Sequence, residues 1–296
     1  MKRLSTYIVL ISVFMTSCDK DFEQININPV LPSKLDAAYL FADAQVGSDY
    51  YIIRYESQIP QQIITPFTGV LQGGNHNVWF EANNTSAPFD MLYPRSVKHI
   101  VDAIENSKGS PEKSNLYNMA RIMKAFIFQR LVDSYGDVPY TEAGQAFLTQ
   151  TYLPKYDSAA DIYNDLLKEV SEATVALDAS KPLVTNDILY KGDIVKWKRF
   201  GNSLLLRIAM RYTRVDANKA RQFAILAVDP GRGGVMQSNA DNALVAYNAV
   251  ITNSNTNTFH GSERANFYLE KPFVDYLKTT QDPRLRVMAV KYAIPA

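Results

Sequence analysis

The sequence is poor in the residues that most often build metal and catalytic centres, with one cysteine and three histidines among 296 residues. Cys18 cannot form an internal disulfide, and no cysteine pair is present to hold zinc. The histidines His76, His99 and His260 are far apart in the sequence, and neither His-Glu-x-x-His nor Gly-x-Ser-x-Gly occurs. The sequence therefore predicts no enzyme, no metal centre and no cofactor.

The chain also lacks an excess of charge of either sign. Lys and Arg number 31 against 30 Asp and Glu, which gives a net charge of +1 at pH 7. Nucleic acids and anionic lipid surfaces select proteins with a strongly basic surface. We therefore expect no nucleic-acid partner.

The N-terminal apolar run is too short to cross a membrane. It covers residues 7–15, about half of the roughly 20 apolar residues that a spanning helix needs. Lys2 and Arg3 precede it, and small residues follow before Cys18. A charged start, a short apolar stretch and a small-residue cleavage site are typical of an export signal peptide.

The residues Met15-Thr16-Ser17-Cys18 resemble the lipobox of bacterial lipoproteins, with Met where Leu is usual. That resemblance implies cleavage before Cys18 and acylation of its amine and thiol. The alternative is an ordinary secretory signal with an incidental cysteine. The acidic run that follows resembles the signal that sends Bacteroidetes lipoproteins to the outer face of the outer membrane. We expect residues 1–17 to be the signal peptide and residues 18–33 a lipid-anchored leader.

Helical patterns dominate the rest of the chain. Four segments show the spacing of a buried helical face or a clear start and stop, and two earlier segments are amphipathic candidates. The four are residues 115–135, a helix capped by Asp157-Ser158 that ends before Lys181-Pro182, a helix that Asp193 opens, and residues 216–228. The two earlier candidates are residues 34–51 and 89–106. No period-two strand pattern is as convincing.

Two of these helices resemble a tetratricopeptide pair, but with a connection longer than the regular repeat allows. The matching positions are Trp197, Phe200, Gly201 and Leu204 on the first helix, and Ala220, Ala224, Ala227 and Pro230 on the second. Small residues there allow neighbouring helices to approach closely. We predict an all-α fold of irregular tetratricopeptide-like helical repeats with long ligand-binding loops, and we place Trp197 in the core.

Two long loops are predicted at residues 67–88 and 238–267, both rich in Asn, Ser, Thr and Gly with aromatic residues among them. Long loops in a compact domain are usually functional or disordered, and the aromatic residues argue against simple disorder. Ligand capture needs an aromatic platform with hydrogen-bonding side chains around it. The loops are therefore the predicted ligand-binding regions.

The first loop carries the stronger set of ligand-binding candidates. We interpret Trp79 as the ring that stacks on a ligand, with Asn75 and Asn77 as hydrogen-bonding groups and His76 between them. An equally weighted alternative makes Trp79 a core residue that holds the loop. The second and weaker set is Tyr247, Asn248, Phe259 and His260.

Several local motifs, in this order along the chain, resemble the SusD/RagB family of outer-membrane nutrient-binding lipoproteins. Besides the lipobox and the acidic leader, the motifs are Asp21-Phe22-Glu23, residues 26–29, residues 133–140, Pro154-Lys155-Tyr156-Asp157, residues 192–204 and Asp282-Pro283-Arg284-Leu285. The resemblance covers nearly the whole chain. It implies that residues 34–296 form a SusD-like α-helical domain, anchored through lipid at the cell surface.

The same resemblance implies a role as the lid of a SusC-type TonB-dependent transporter, with a glycan as the usual ligand and a peptide in some members. We expect the chain to bind an oligosaccharide and deliver it to that transporter. The alternatives are a peptide-binding member of the family and a helical-repeat interaction lipoprotein without a small-ligand site. Family members continue well past the Asp-Pro-Arg-Leu motif, whereas this sequence ends at Ala296, so we expect it to be truncated at the C-terminus.

Overall fold

The computed structural model describes residues 35–48, 60, 62–64, 82–249, 251–252 and 267–288, with only the backbone for residues 82–85. From Asp36 onward the described elements belong to one compact unit. The predicted signal peptide and leader, Cys18 included, lie outside the described residues.

The described residues form ten α-helices and two pairs of very short strands. The helices are α1 Ala37–Gly47, α2 Ala82–Met91, α3 Lys98–Ser107, α4 Ser114–Tyr135, α5 Ala146–Thr149, α6 Ala159–Ala176, α7 Ile194–Arg211, α8 Ala217–Val228, α9 Lys271–Thr279 and α10 Leu285–Met288. The strands are β1 Ile63–Ile64, antiparallel to β4 Tyr268–Leu269, and β2 Val138–Pro139, antiparallel to β3 Tyr156–Asp157. The predicted all-α class is confirmed.

Side-chain caps set the start of three of the long helices. Ser158, Asp193 and Asp216 each accept a hydrogen bond from the backbone N–H three residues later, at the starts of α6, α7 and α8. Such a cap satisfies one of the N–H groups that have no partner within the helix. The predicted starts of these helices are confirmed.

The ends of two helices follow from local backbone geometry. Helix α4 stops at Gly136, whose φ of 76° lies in the left-handed region that favours glycine. Helix α6 ends at Ala176, before Lys181-Pro182 as predicted. The next turn is held by Asn115, whose side chain bonds both the N–H and the C=O of Asp178. This contact ties the end of α6 to the start of α4.

The first predicted loop is wrong over residues 82–88, because these residues belong to α2 and Pro88 lies inside the helix. A π-helical segment, Leu92–Val97, continues α2 into α3, so the predicted helix 89–106 is longer at both ends. Pro88 lacks a helical N–H donor and so favours a loop locally, but packing of the helix outweighs that preference. Phe89, for example, packs its ring 4.4 Å from that of Tyr93.

The long helices pack in sequence, α4 on α6, α6 on α7 and α7 on α8, while α3 packs on both α1 and α4. Helices α6 and α7 approach closely at Gly201 of α7, where an added Cβ would lie 2.1 Å from Thr174 Oγ1 of α6. Ala220 and Ala227 of α8 are buried. The prediction that small residues permit close helix contacts is therefore confirmed at these positions.

Trp197 is fully buried at the centre of this packing, as predicted. Its ring lies 5.8 Å from that of Phe41 on α1, 5.7 Å from that of Tyr190 and 5.5 Å from that of Phe200 on α7. Burial of large rings in such edge and tilted arrangements contributes strongly to a core. The aromatic cluster therefore joins α1 to the tetratricopeptide-like helices.

Candidate ligand-binding site

A cleft of about 510 Å³ opens between α4, α7 and the irregular segment that follows Asp241. Its volume falls within the range of sites that hold small molecules. The residues that line it are Ser48, Met123, Phe126, Arg130, Leu189, Phe200, Ser203, Leu204, Arg207, Met236, Asn242, Ala243, Leu244, Val245 and Tyr247.

Helical periodicity brings the main walls together. Positions 123, 126 and 130 share one face of α4, and positions 200, 203, 204 and 207 share one face of α7. These faces also carry the apolar residues that pack in the core. The cleft is therefore continuous with the core between the two helices. The two helices therefore supply seven of the fifteen residues that line the cleft.

The floor of the cleft is mainly apolar and aromatic. The rings of Phe126 and Phe200 lie 5.9 Å apart between α4 and α7, and Tyr247 contributes a third ring from the segment after Asp241. Aromatic floors can replace water on an apolar ligand face, such as the C–H face of a sugar or the side chain of a peptide. The cleft is therefore suited to binding through contact and desolvation.

The polar groups are few and well placed. Arg130 Nη1 donates to the carbonyl oxygen of Ser48 over 2.6 Å, and its guanidinium lies 5.6 Å from the ring centre of Phe126. Ser203 Oγ accepts a hydrogen bond from Met236 N at 2.9 Å. These contacts fix the Arg130 side chain and join α7 to the stretch of chain before Asp241.

Charge in the cleft is of one sign. The described residues that line it include two arginines, Arg130 and Arg207, and no Asp or Glu. The nearby carboxylate of Asp241 is bound by Arg199 Nη1 at 2.8 Å and by the backbone N–H groups of Gln237 and Ser238. The cleft therefore presents positive charge above an apolar floor.

Of the sequence-predicted ligand residues, the structure brings Tyr247 into this cleft. Asn248 closes a local turn, because its N–H donates to the carbonyl oxygen of Ile251 and its Oδ1 accepts from Ile251 N, both at 2.8 Å. The predicted residues outside the described part of the chain are Asn75, His76, Asn77, Trp79, Phe259 and His260.

Sequence reasoning missed Phe126, Arg130 and Arg207, which come from helices assigned wholly to packing. The sequence does contain an indication of the two arginines. Arg130 and Arg207 fall close to the apolar stripes of α4 and α7, where a charged residue is unusual. Arginines beside the core-facing stripes of two neighbouring helices point to a polar opening between them.

In the part of the chain that the structure describes, no group of three or more His, Cys, Asp or Glu is arranged to hold a metal ion. His99 instead pairs its Nδ1 with Asp43 Oδ2 at 2.7 Å, next to Arg95. Within the same residues, no helix has the length and apolar character needed to cross a membrane.

The family model of SusD-like proteins, described as "Starch-binding associating with outer membrane", matches residues 29–294. The chain belongs to this SusD-like family. The predicted family resemblance is thereby confirmed, and it extends through all of the described helices of the SusD-like chain. No curated protein matches the chain.

Solved structures similar to this SusD-like chain include two that bind chitin. A chitin-binding protein is 32% identical with a TM-score of 0.75, and the match covers 86% of this chain and 55% of that one. A Bacteroidetes SusD-like protein is 28% identical with a TM-score of 0.72 over 85% of this chain and 50% of that one.

The second of the chitin-binding structures is a SusD homologue from Flavobacterium johnsoniae. It is 26% identical with a TM-score of 0.69, and the match covers 84% of this chain and 52% of that one. The SusD-like chain therefore spans about half the length of the solved structures it matches.

Proposed function

We propose that this SusD-like chain is an outer-membrane lipoprotein that binds an oligosaccharide at the cell surface and delivers it to a SusC-type TonB-dependent transporter. Membership of the SusD-like family carries this proposal. The similarity to two chitin-binding structures, at 32% and 26% identity, favours a saccharide as the ligand. The mechanism is binding, with no bond made or broken.

The physical basis of capture is the exchange of water for aromatic surface. In the cleft, Phe126 and Tyr247 offer rings, and Ser203 and Asn242 offer hydrogen-bonding groups for ligand hydroxyls. The predicted loop residues Trp79, Asn75, His76 and Asn77 stay proposed ligand contacts, with Phe259 and His260 as the weaker set. Rings and polar groups together are what recognition of a sugar requires.

The proposed attachment to the membrane is through Cys18. One acyl chain alone binds a membrane only weakly, and stable anchoring needs a second. Multiple acylation of Cys18, as the lipobox resemblance implies, would hold the chain permanently beside its transporter.

A peptide is the second ligand class that a specific observation favours. Apolar side chains such as Met123, Leu204 and Met236 outnumber hydrogen-bonding ones in the cleft lining. Many saccharide hydroxyls would lack partners on such a surface, whereas apolar peptide side chains would gain from it.

Affinity electrophoresis through gels that contain single polysaccharides, with a peptide panel measured by calorimetry, tests the proposal. We expect retardation by at least one polysaccharide, and Trp79→Ala to weaken it while far-ultraviolet circular dichroism stays unchanged. Tyr276→Ala, at an exposed tyrosine of α9, is the matched control and should not alter retardation. Retardation unchanged in Trp79→Ala would remove Trp79 from the site, and absence of binding to every polysaccharide and peptide would overturn the function.

A further inference from the structure

We propose that the cleft recognises a ligand that carries a carboxylate, which the guanidinium of Arg207 receives. This inference rests on the proposed nutrient-binding function and specifies the ligand class. It depends on the charge balance of the cleft and on the surroundings of the arginines along α7.

Arg207 differs from the arginines on either side of it in α7. Arg199 forms an ion pair with Asp241 at 2.8 Å, and Arg211 forms one with Asp133 at 2.6 Å. Within the described residues, Arg207 has neither an ion pair nor a hydrogen bond, although it lines the cleft. Its full positive charge is therefore available to a ligand.

The carboxylate nearest in sequence to the cleft lining does not compensate this charge. Asp241 precedes Asn242 directly, but its Oδ1 binds Arg199 and its Oδ2 accepts from the N–H groups of Gln237 and Ser238. Its negative charge is therefore neutralised by partners within the protein. An anionic ligand would meet attraction from Arg207, and none of the described lining residues is acidic.

The groups around Arg207 are donors that suit a carboxylate. A guanidinium presents a planar set of N–H groups that can bind both oxygens of a carboxylate at once. Ser203 lies one helical turn before Arg207 and also lines the cleft. Because its Oγ accepts from Met236 N, its own O–H remains a donor.

Arg130 adds a second positive charge in a fixed position. Its hydrogen bond to the Ser48 carbonyl and its contact with the Phe126 ring hold the guanidinium at the cleft wall. A neutral ligand would gain little from the two cations, whereas a carboxylate with an apolar face would use both the charge and the aromatic floor. A uronic acid unit of a polysaccharide and the C-terminal residue of a peptide share this chemistry.

Isothermal titration calorimetry with two matched pairs of probes tests the inference. One pair is oligogalacturonate and its methyl ester, and the other is a hexapeptide with a free C-terminal carboxylate and its C-terminal amide. We expect the acidic member of one pair to bind at least about tenfold more tightly than its neutral partner, the effect of one charge-assisted contact. The pair that shows the difference identifies the source of the carboxylate.

The variant Arg207→Gln should remove most of that preference, because the acidic member loses its charge-assisted contact and the neutral member loses much less affinity. Arg221→Gln on α8, outside the cleft, is the matched control and should bind both members as the wild type does. Equal affinity for both members of each pair, or a preference of the same size in Arg207→Gln as in the wild type, would overturn the carboxylate inference. Nutrient binding would still stand if neutral polysaccharides retard the chain, whereas failure of every probe and polysaccharide would overturn the proposed function itself.

Discussion

Trp197 donates its indole Nε1–H to Asp187 Oδ2 across 2.7 Å, and both side chains are buried. The same carboxylate accepts from Gln45 Nε2 on α1 at 2.7 Å and from the N–H groups of Leu189, Tyr190 and Gly192. One buried carboxylate thus satisfies five donors. It joins α1, the turn before α7, and α7 itself.

Replacement of Asp187 by alanine should destabilise the chain by about 3–5 kcal/mol, because it leaves several buried donors without an acceptor. Asp187→Asn keeps the shape but loses the charge, and we expect a smaller loss. Urea unfolding followed by Trp fluorescence measures both. Asp193→Ala, at the N-cap of α7, is the comparison and should cost about 1 kcal/mol. A loss for Asp187→Ala no larger than that of Asp193→Ala would contradict the role given to Asp187.

The contact between α6 and α7 predicts the effect of a methyl group at Gly201. Alanine favours a helix over glycine by about 1 kcal/mol, yet its Cβ would lie 2.1 Å from Thr174 Oγ1. We expect Gly201→Ala to lower the free energy of unfolding by about 1–2 kcal/mol, because overpacking outweighs helix propensity.

A double-mutant cycle checks the cause of this loss. Thr174→Ala in the Gly201→Ala background should restore part of the stability, so the two changes should not be additive. Gly231→Ala, in an exposed turn, is the control and should change stability by no more than about 0.5 kcal/mol. Simple additivity of the changes at 174 and 201 would show that the two helices do not meet as described.

The ion pair between α4 and α6 predicts a dependence of stability on pH. Arg121 binds both carboxylate oxygens of Glu169, at 2.8 and 2.9 Å. Burial alone would raise the pKa of Glu169, but the hydrogen bonds and charge of Arg121 outweigh burial and hold the pKa below its usual value. The pair therefore stabilises the fold above the unfolded-state pKa, and this contribution is lost as the pH falls through the folded-state pKa.

We expect Glu169→Gln to cost about 1–2 kcal/mol at pH 7, and this difference from the wild type to shrink below about pH 4. Urea unfolding of both proteins over a pH series gives the comparison. Lys108→Gln, which removes an exposed ion pair with Glu105, serves as the control with little effect at either pH. A constant difference between wild type and Glu169→Gln down to pH 3 would argue against the ionic contribution.

If Cys18 attaches the protein to the membrane, its replacement should change the cell fraction in which the protein is found. Cys18→Ala should release the protein from the membrane fraction without altering its unfolding transition, because Cys18 precedes in sequence all of the residues that form the described helices. Fractionation of cells that lack the transporter, with immunoblotting, measures the distribution. If Cys18→Ala still sediments with the outer membrane in those cells, acylation of Cys18 is not what holds the protein there.

Most of the helical architecture could be predicted from the sequence, because its determinants are local. Ser158, Asp193 and Asp216 cap helices by binding N–H groups three residues away, and such signals are readable in a short window. Residues 82–88 could not be predicted, since their Asn, Ser, Thr and Pro residues favour a loop locally. Phe89, the next residue of the same helix, packs against Tyr135, and a contact so distant in sequence cannot be predicted from local composition.

Most of the cleft could not be predicted from the sequence, because the residues that line it come from distant parts of the chain. Ser48, Arg130, Arg207 and Tyr247 meet only after four segments have packed together. Tyr247 was predicted from the composition of its loop, while the arginines were hidden in helices whose pattern indicates packing. The Asp187 network was hidden for the same reason, since Gln45 lies 142 residues away in sequence.

The most direct test of the account is a calorimetric titration of the wild-type chain with the oligosaccharide fragments of any polysaccharide that retards it, followed by mass analysis of the recovered ligand. We expect saturable binding and recovery of the oligosaccharide unchanged in length, because capture of a nutrient breaks no bond. Absence of saturable binding, or recovery of shortened fragments that the chain alone produces, would contradict it.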